Sequence, residues 1–385
     1  MTDFPLTRSA ALARLEAFVP QAGSAYAARR NFVATDGAHS DVSRLSAALR
    51  RRVIGEDEVV RAVLSAHPFD RAEKFIAEVF WRTYWKGWLE ARPGVWAQAQ
   101  EQAASQQANP AIARAITAAI EGRTGIAAFD HWARELAETG YLHNWARMQV
   151  ASIWTFTLGL PWQSGAAWTY DRLIDADPAS NTLSWRWVAG LHTAGKAYLA
   201  DADRIATMTG GALQAQGLSQ EARIPQDTPL TPRIPLRTPQ QPDPAKPTLV
   251  LITLEDCALE TVLPAMDIRA VATLPDLARS AADDMALSDA LARASAHWQC
   301  PARENADDLV EFTRAYGCTQ IVTGFAPTGP VASALAQLAT ALAAQGIPLA
   351  EHQRDWDRLA WPHCTKGFFQ LKSRIPGLLR EHGIA

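Results

Sequence analysis

Residues 175–187 read DADPASNTLSWRW and place two carboxylates, an amide and two indoles within one short stretch. Asp175, Asp177 and Asn181 are residue types that hold the polar groups of a ligand. Trp185 and Trp187 add large, oxidisable aromatic surface. The preceding stretch 141–148, YLHNWARM, supplies a second amide in Asn144 and a guanidinium in Arg147. Taken together these groups suit a pocket for a large, flat, hydrogen-bonding ligand. Taken singly, each Trp is as well explained by a core and each Asp by solvent, so the clustering carries the reading.

Several elements must position such a pocket. Residues 69–91 have strong helical character and are rich in aromatics, with Phe75, Phe80, Trp81, Tyr84, Trp85 and Trp88. Glu78 and Trp81 lie three apart on it and share a helix face; an ordinary core stripe with Glu78 at its edge has the same pattern. Residues 8–20 show helical apolar spacing, and residues 129–139 form an amphipathic helix with Gly140 as its stop. Residues 42–46, VSRLS, open a further helix predicted to run to Arg52. Hydroxyls and free backbone N–H groups at a helix start suit a pyrophosphate, although a Ser-x-x-Ser opening also serves as a plain cap. Arg50, Arg51 and Arg52 fit either a nucleic-acid backbone contact or a solvated helix end.

Composition bounds the class. The chain has 385 residues, a formal net charge of -3, 48% hydrophobic and 20% charged residues, which describe a soluble globular protein long enough for two cores. The balance gives no global basic signal for nucleic acid. No run approaches the ~20 apolar residues of a membrane helix, and residues 1–18 lack a secretory core, so a cytoplasmic chain is expected. Cys257, Cys300, Cys318 and Cys364 are far apart, with no metal-type spacing, and read as idle thiols in a reducing compartment. Eleven of the fourteen tryptophans precede residue 188, which assigns the aromatic chemistry to the first part of the chain.

Eight prolines between 225 and 247 exclude regular structure and predict an extended linker. Beyond it, 248–254 (TLVLITL), 268–274 and 320–323 are strand candidates, and 331–345 is a helix candidate. Alternating strands and helices predict a doubly wound, Rossmann-like α/β domain. The expected organisation is a mainly α domain at 1–217, a linker at 218–247 and an α/β domain at 248–385.

Three segments carry a family resemblance. HNWARM, ASIWTFTLGLPW and DRLIDADPASNTLSWRW, in that order and without gaps from about Glu121 to Trp187, are similar to the FAD-binding domain of the photolyase/cryptochrome family. YAARRNF from Tyr26, VSRLS from Val42 and AEVFWRTYW around Glu78 resemble further family signatures. The resemblance implies FAD as cofactor, with Tyr26, Ser43, Arg44, Leu45, Ser46 and Arg82 in its binding set. Arg147 would pair with Asp175, Asp177 would face the flavin ring edge, and Asn181 would face N5. Glu78, Trp81, Asn144, Met148 and Trp187 match positions that contact the substrate. Trp185 and Trp162 match the first two members of the photoreduction chain, whose distal tryptophan is replaced here by Asn109.

Residues 192–211 look closer to the tail of the family's iron–sulfur branch. That branch uses four cysteines, and the absence of any before Cys257 implies no cluster. The α/β part resembles the family's antenna domain, placed second here instead of first; any antenna chromophore is left open. The implied activity is that of a deoxyribodipyrimidine photolyase, a carbon–carbon lyase. In it light-driven electron transfer from the flavin splits pyrimidine dimers flipped out of damaged DNA. Trp145 stands where an arginine is usual and Phe156 where a lysine is common. Both departures favour the alternative of a cryptochrome-like photoreceptor without repair, and a flavoprotein scaffold with no light function is a third reading.

Overall fold

The computed structural model describes all residues except 1–3, 36, 194, 275–277, 305–307 and 385. The chain divides into two compact units, each assembled from separate segments. One comprises Met1–Pro20, Arg44–Glu90 and Pro235–Ala385; the other comprises Gln21–Ser43 and Ala91–Ile234. The helices Ser46–Arg50, Glu56–Ala66 and Phe69–Glu90 therefore share a unit with the sheet. Among the described residues, the first strand begins at Thr248.

In the first unit the sheet is parallel and five-stranded, in the order β3-β2-β1-β4-β5. Its strands are β1 (Thr248–Ile252), β2 (Ile268–Thr273), β3 (Ala302–Arg303), β4 (Gln320–Gly324) and β5 (Leu349–His352). Every residue of β1 and of β4 is buried, as an apolar run must be in the centre of a parallel sheet. Leu249 pairs with Ala270 on one side and Ile321 on the other. Leu249, Leu251 and Ile321 pack with Leu335 and Leu342 of the helix Pro330–Ala343. The sequence pattern located the three long apolar strands and missed β3 and β5. β3 is two exposed residues, and β5 reads LAEH with only Ala350 fully buried, so neither carries an apolar run.

The helix expected to open at Val42–Ser46 and run to Arg52 is a single turn, Ser46–Arg50. Arg52 and Arg44 both have left-handed backbones, at φ 48° and 60°, a conformation that L-residues adopt at a cost. Both readings of Arg50–Arg52 require correction: all three side chains are buried. Arg50 meets Glu255 at 2.8 Å, Arg51 meets Asp283 at 2.6 Å and Arg52 meets Asp357 at 2.7 Å. Lys86 joins Glu255 at 3.3 Å, and Arg354 binds Asp256 through two hydrogen bonds of 2.6 and 2.7 Å. Burial alone would raise the pKa of Asp256, but the Arg354 guanidinium outweighs it and holds the carboxyl below its usual range.

The second unit is helical. Its main helices are Gly94–Gln106, Pro110–Ile120, Ala127–Thr139, Asn144–Ser152, Trp162–Arg172 and Pro178–Val188. A π-helical turn, Ile153–Thr157, continues the fourth of them. Ala127–Thr139 ends on Gly140 at φ 68°, the left-handed cap its sequence position demands. The core is aromatic, with Trp132, Trp145, Trp154, Trp162, Trp168 and Trp185 all buried. The proline-rich stretch is irregular, as expected, yet anchored: Asp227 pairs with Arg186, and the Ile234 amide donates to the Ala91 carbonyl at 2.9 Å.

Breaking the buried ion-pair layer should be costly. Arg52→Met would leave Glu56 and Asp357, both about 1% exposed, without their principal cation. A loss of about 3–5 kcal/mol is expected, read as a lower denaturant midpoint; an unchanged midpoint would show that the layer contributes little.

Candidate functional site

The residues singled out in sequence fall in both units, and each set has its own geometry. In the first unit, Arg44 is buried in its left-handed turn with its guanidinium 5.2 Å from the centroid of the Phe4 ring. Leu45 is fully buried. The Oγ of Ser46 is buried and makes no hydrogen bond with any described residue. Arg82 reaches the same turn, its Nη2 lying 3.5 Å from the Ser46 carbonyl oxygen. The turn is thus strained and hydroxyl-bearing, and it is approached by a second cation. Because the helix behind it is one turn long, helix-dipole assistance is small.

Glu78 and Trp81 are half-buried on the helix Phe69–Glu90. One face of Trp81 is covered: Phe368 stacks on it at 3.8 Å between centroids and 13° between planes. Tyr84 packs edge-on to Trp81 at 5.5 Å.

In the second unit, Arg147 and Asp175 form the expected pair, with Nη2 to Oδ2 at 2.9 Å; Arg147 Nε donates to the Leu142 carbonyl at 2.8 Å. Burial works against the Arg147 charge, but Asp175 and Tyr141 outweigh it and raise the pKa. Asp177 caps the helix Pro178–Val188, its Oδ1 accepting from the Ser180 amide at 2.7 Å. Ser180 Oγ and Thr182 Oγ1, in the first turns of that helix, are buried and make no hydrogen bond with any described residue. Such groups call for a polar partner.

Asn181 is held on both sides of its amide. Its Oδ1 accepts from Thr169 Oγ1 at 2.8 Å and its Nδ2 donates to the Ala166 carbonyl at 2.7 Å. Trp185 Nε1 donates to the same Thr169 oxygen at 2.9 Å. Thr169 therefore orients both the amide and the indole, a role sequence inspection missed because a lone Thr in a helix carries no signal. Gly165, one turn earlier, leaves the room for this: a Cβ there would lie 2.4 Å from the Trp185 ring and 3.0 Å from that of Trp154.

The aromatic array differs from the expected order. Trp154 lies edge-on to Trp185 at 6.0 Å and stacks on Trp168 at 5.5 Å and 17°. No ring contact joins Trp162 to Trp185 among the described residues. Trp162 instead lies beneath the Arg186 guanidinium, 5.4 Å from its ring centroid. Asn109 caps the helix Pro110–Ile120, accepting from the Ala111 and Ile112 amides.

Asn144 is exposed and Met148 half-buried, four residues apart on one helix. Trp187 is half-buried and packs on Tyr198 at 5.8 Å. Trp145 is 3% exposed, in the core, edge-on to Trp132 at 6.3 Å, so its side chain points inward. Tyr26 is buried in the short helix Ser24–Arg29, and Ser43 is half-buried.

His143 caps the helix Asn144–Ser152, with Nδ1 accepting from the Trp145 amide at 3.2 Å. Burial first, then His39 and Arg147, push its pKa down to about 3. The cap thus uses the neutral ring. The unfolded chain binds the proton more readily, so this stability is complete above the ordinary value of 6.5 and is lost as pH falls towards 3. At pH 5 the loss is on the order of 2 kcal/mol. His143→Asn keeps a capping side chain, and its melting temperature should fall less than wild type's between pH 7 and pH 5; an equal fall would remove His143 as the sensor.

Residues 75–212 match the family model for the FAD binding domain of DNA photolyase. A deoxyribodipyrimidine photo-lyase of Escherichia coli is 29% identical over 198 residues, covering 49% of this chain and 40% of the relative. One from a Synechococcus species is 33% identical over 189 residues, covering 47% and 38%. A crystal structure of a bacterial class III photolyase from Agrobacterium tumefaciens matches at 30% identity and a TM-score of 0.42, covering 52% of this chain and 40% of that one. The chain thus spans about two fifths of the length of these relatives.

Proposed function

We propose, from the premise that residues 75–212 belong to the photolyase/cryptochrome family, that this chain is an FAD-dependent, blue-light photolyase-type lyase repairing pyrimidine dimers in damaged DNA. The observation that carries the reading is the matched segment with the Arg147–Asp175 pair inside it. Buried hydroxyls at Ser180 and Thr182, beside the Asp177 cap, fit a ligand rich in hydrogen-bonding groups. Bound FAD would supply light-driven one-electron chemistry, while the protein supplies position and electrostatics.

The chain's own residues then have distinct tasks. Ser43, Arg44, Leu45, Ser46 and Arg82 take phosphate, with Tyr26 in the same binding set. Arg147, kept charged by Asp175, and Asp177 shape the polar wall. Asn181 presents an amide whose orientation Thr169 and the Ala166 carbonyl fix. Glu78, Trp81, Asn144, Met148 and Trp187 receive the lesion. Residues 1–217 are the FAD-binding module, 218–247 the linker, and 248–385 a Rossmann-like antenna module in second place. No described helix is long and apolar enough to cross a membrane, and a cytoplasmic location is proposed.

One observation favours the second reading, a cryptochrome-like photoreceptor without repair. The Trp81 face against Phe368 is not open to a base. Purified protein should be yellow and release FAD on denaturation. Asp175→Ala should lower the flavin-to-protein ratio several-fold by leaving Arg147 without its carboxylate. Dimer-bearing oligonucleotides illuminated with the reduced protein then separate the readings: loss of dimers supports repair, and persistence of dimers in the presence of bound FAD supports sensing. A colourless protein that cannot be loaded sinks both.

The aromatic geometry yields a further expectation. Trp185→Phe should slow flavin photoreduction by an order of magnitude or more. Trp154→Phe should slow it more than Trp162→Phe, because Trp154 is the ring neighbour of Trp185 and Trp162 lies under a cation that opposes its oxidation. The reverse order, read by transient absorption, would restore Trp162 to the path.

A further inference from the structure

A stretch late in the chain holds basic residues without acids. Residues 364–380, CTKGFFQLKSRIPGLLR, hold Lys366, Lys372, Arg374 and Arg380 and no acid, in a chain whose net charge is -3. Several guanidinium groups of this unit are committed to carboxylates, namely Arg50, Arg51, Arg52 and Arg354. Of the four cations in 364–380, Lys372 pairs with Glu73 at 2.9 Å. Lys366, Arg374 and Arg380 are exposed and have no carboxylate partner among the described residues. In the same stretch, Phe369 is 80% exposed, the most exposed large apolar side chain among the described residues.

This segment is firmly placed. Phe368 stacks on Trp81, Tyr84 donates its hydroxyl to the Lys366 carbonyl at 2.7 Å, and Leu371 is fully buried. Phe368 faces inward and its neighbour Phe369 faces out, so the exposed ring sits on a rigid support. An exposed aromatic in a stretch with exposed cations has the chemistry that binds unpaired nucleic-acid bases and their phosphates.

We propose that the surface formed by Phe369 with Lys366, Arg374 and Arg380 is a DNA-binding face that takes strand with unstacked bases. The cations contact phosphates and Phe369 stacks on a base. The inference rests on the DNA-directed reading above and adds to it a contact outside the matched 75–212 segment. It explains how a mildly acidic chain can engage DNA, since affinity is set by the local face and not by net charge.

The test is dark binding of the full-length protein to a fluorescently labelled, mixed-sequence single-stranded oligonucleotide, followed by anisotropy over a salt series. Phe369→Ala should weaken binding about tenfold while leaving the salt slope unchanged. Lys366→Ala with Arg374→Ala should weaken it further and make the slope of log affinity against log salt shallower by about 0.7 per phosphate contact removed. All three positions are exposed, and unchanged melting temperatures would confirm intact folding. Failure of wild type to bind, wild-type affinity in both variants, or equal competition by duplex DNA with no effect of Phe369→Ala would each overturn the proposal. FAD absorbance is recorded on the same samples. Colourless protein with variant-sensitive DNA binding would fault the flavin reading alone, and flavin-loaded, repair-active protein with variant-insensitive binding would fault this surface alone.

Discussion

Three consecutive guanidinium groups buried at Arg50, Arg51 and Arg52 impose the strictest condition on the first unit. A buried charge without a partner is far more costly than a surface one, so each must end on a carboxylate. Those carboxylates come from distant positions: Glu255 just beyond β1, Asp283 on the helix Ala281–Trp298, and Asp357 near the C-terminus. The segment following β1, where open α/β sheets often receive ligands, is here largely committed to ion pairs, with Asp256 taken by Arg354. The strain at Arg52 is tolerated because its side chain is held by Glu56 and Asp357.

In the second unit the comparable constraint is steric. Gly165 allows the Trp185 indole to lie against the backbone of the helix Trp162–Arg172. That approach brings Nε1 onto Thr169, and Thr169 in turn holds Asn181. One missing side chain thus sets the orientation of an amide and of an indole at once. It also places Trp154 between Trp185 and Trp168. A site built on helices and locked by a second layer of hydrogen bonds is more rigid than one built on loops.

Phe368 connects two parts of the functional question. It covers the Trp81 ring face, which favours sensing over repair, and it anchors the basic, aromatic segment whose exposed ring is Phe369. Under the two proposals above, repair and DNA association rest on different residues, Trp81 for the first and Phe369 for the second.

Much of the fold was legible from local pattern. The long amphipathic and aromatic helices, the Gly140 stop and the three apolar strands follow from periodicity and backbone preference, which act over a few residues. The Arg147–Asp175 pair was legible through family resemblance, because two matched motifs fix both partners. What escaped were features whose cause lies far along the chain. Arg50–Arg52 look like a solvated helix end until carboxylates more than two hundred residues away bury them. Trp145 looks like an altered binding residue until Trp132 claims it for the core. The neighbour of Trp185 is Trp154 and not Trp162, and Phe368 rather than solvent faces Trp81. Residue type and spacing decide which side chains are available for chemistry. Only long-range packing decides which of them are buried, paired or left exposed, because burial energies depend on neighbours that local sequence does not name.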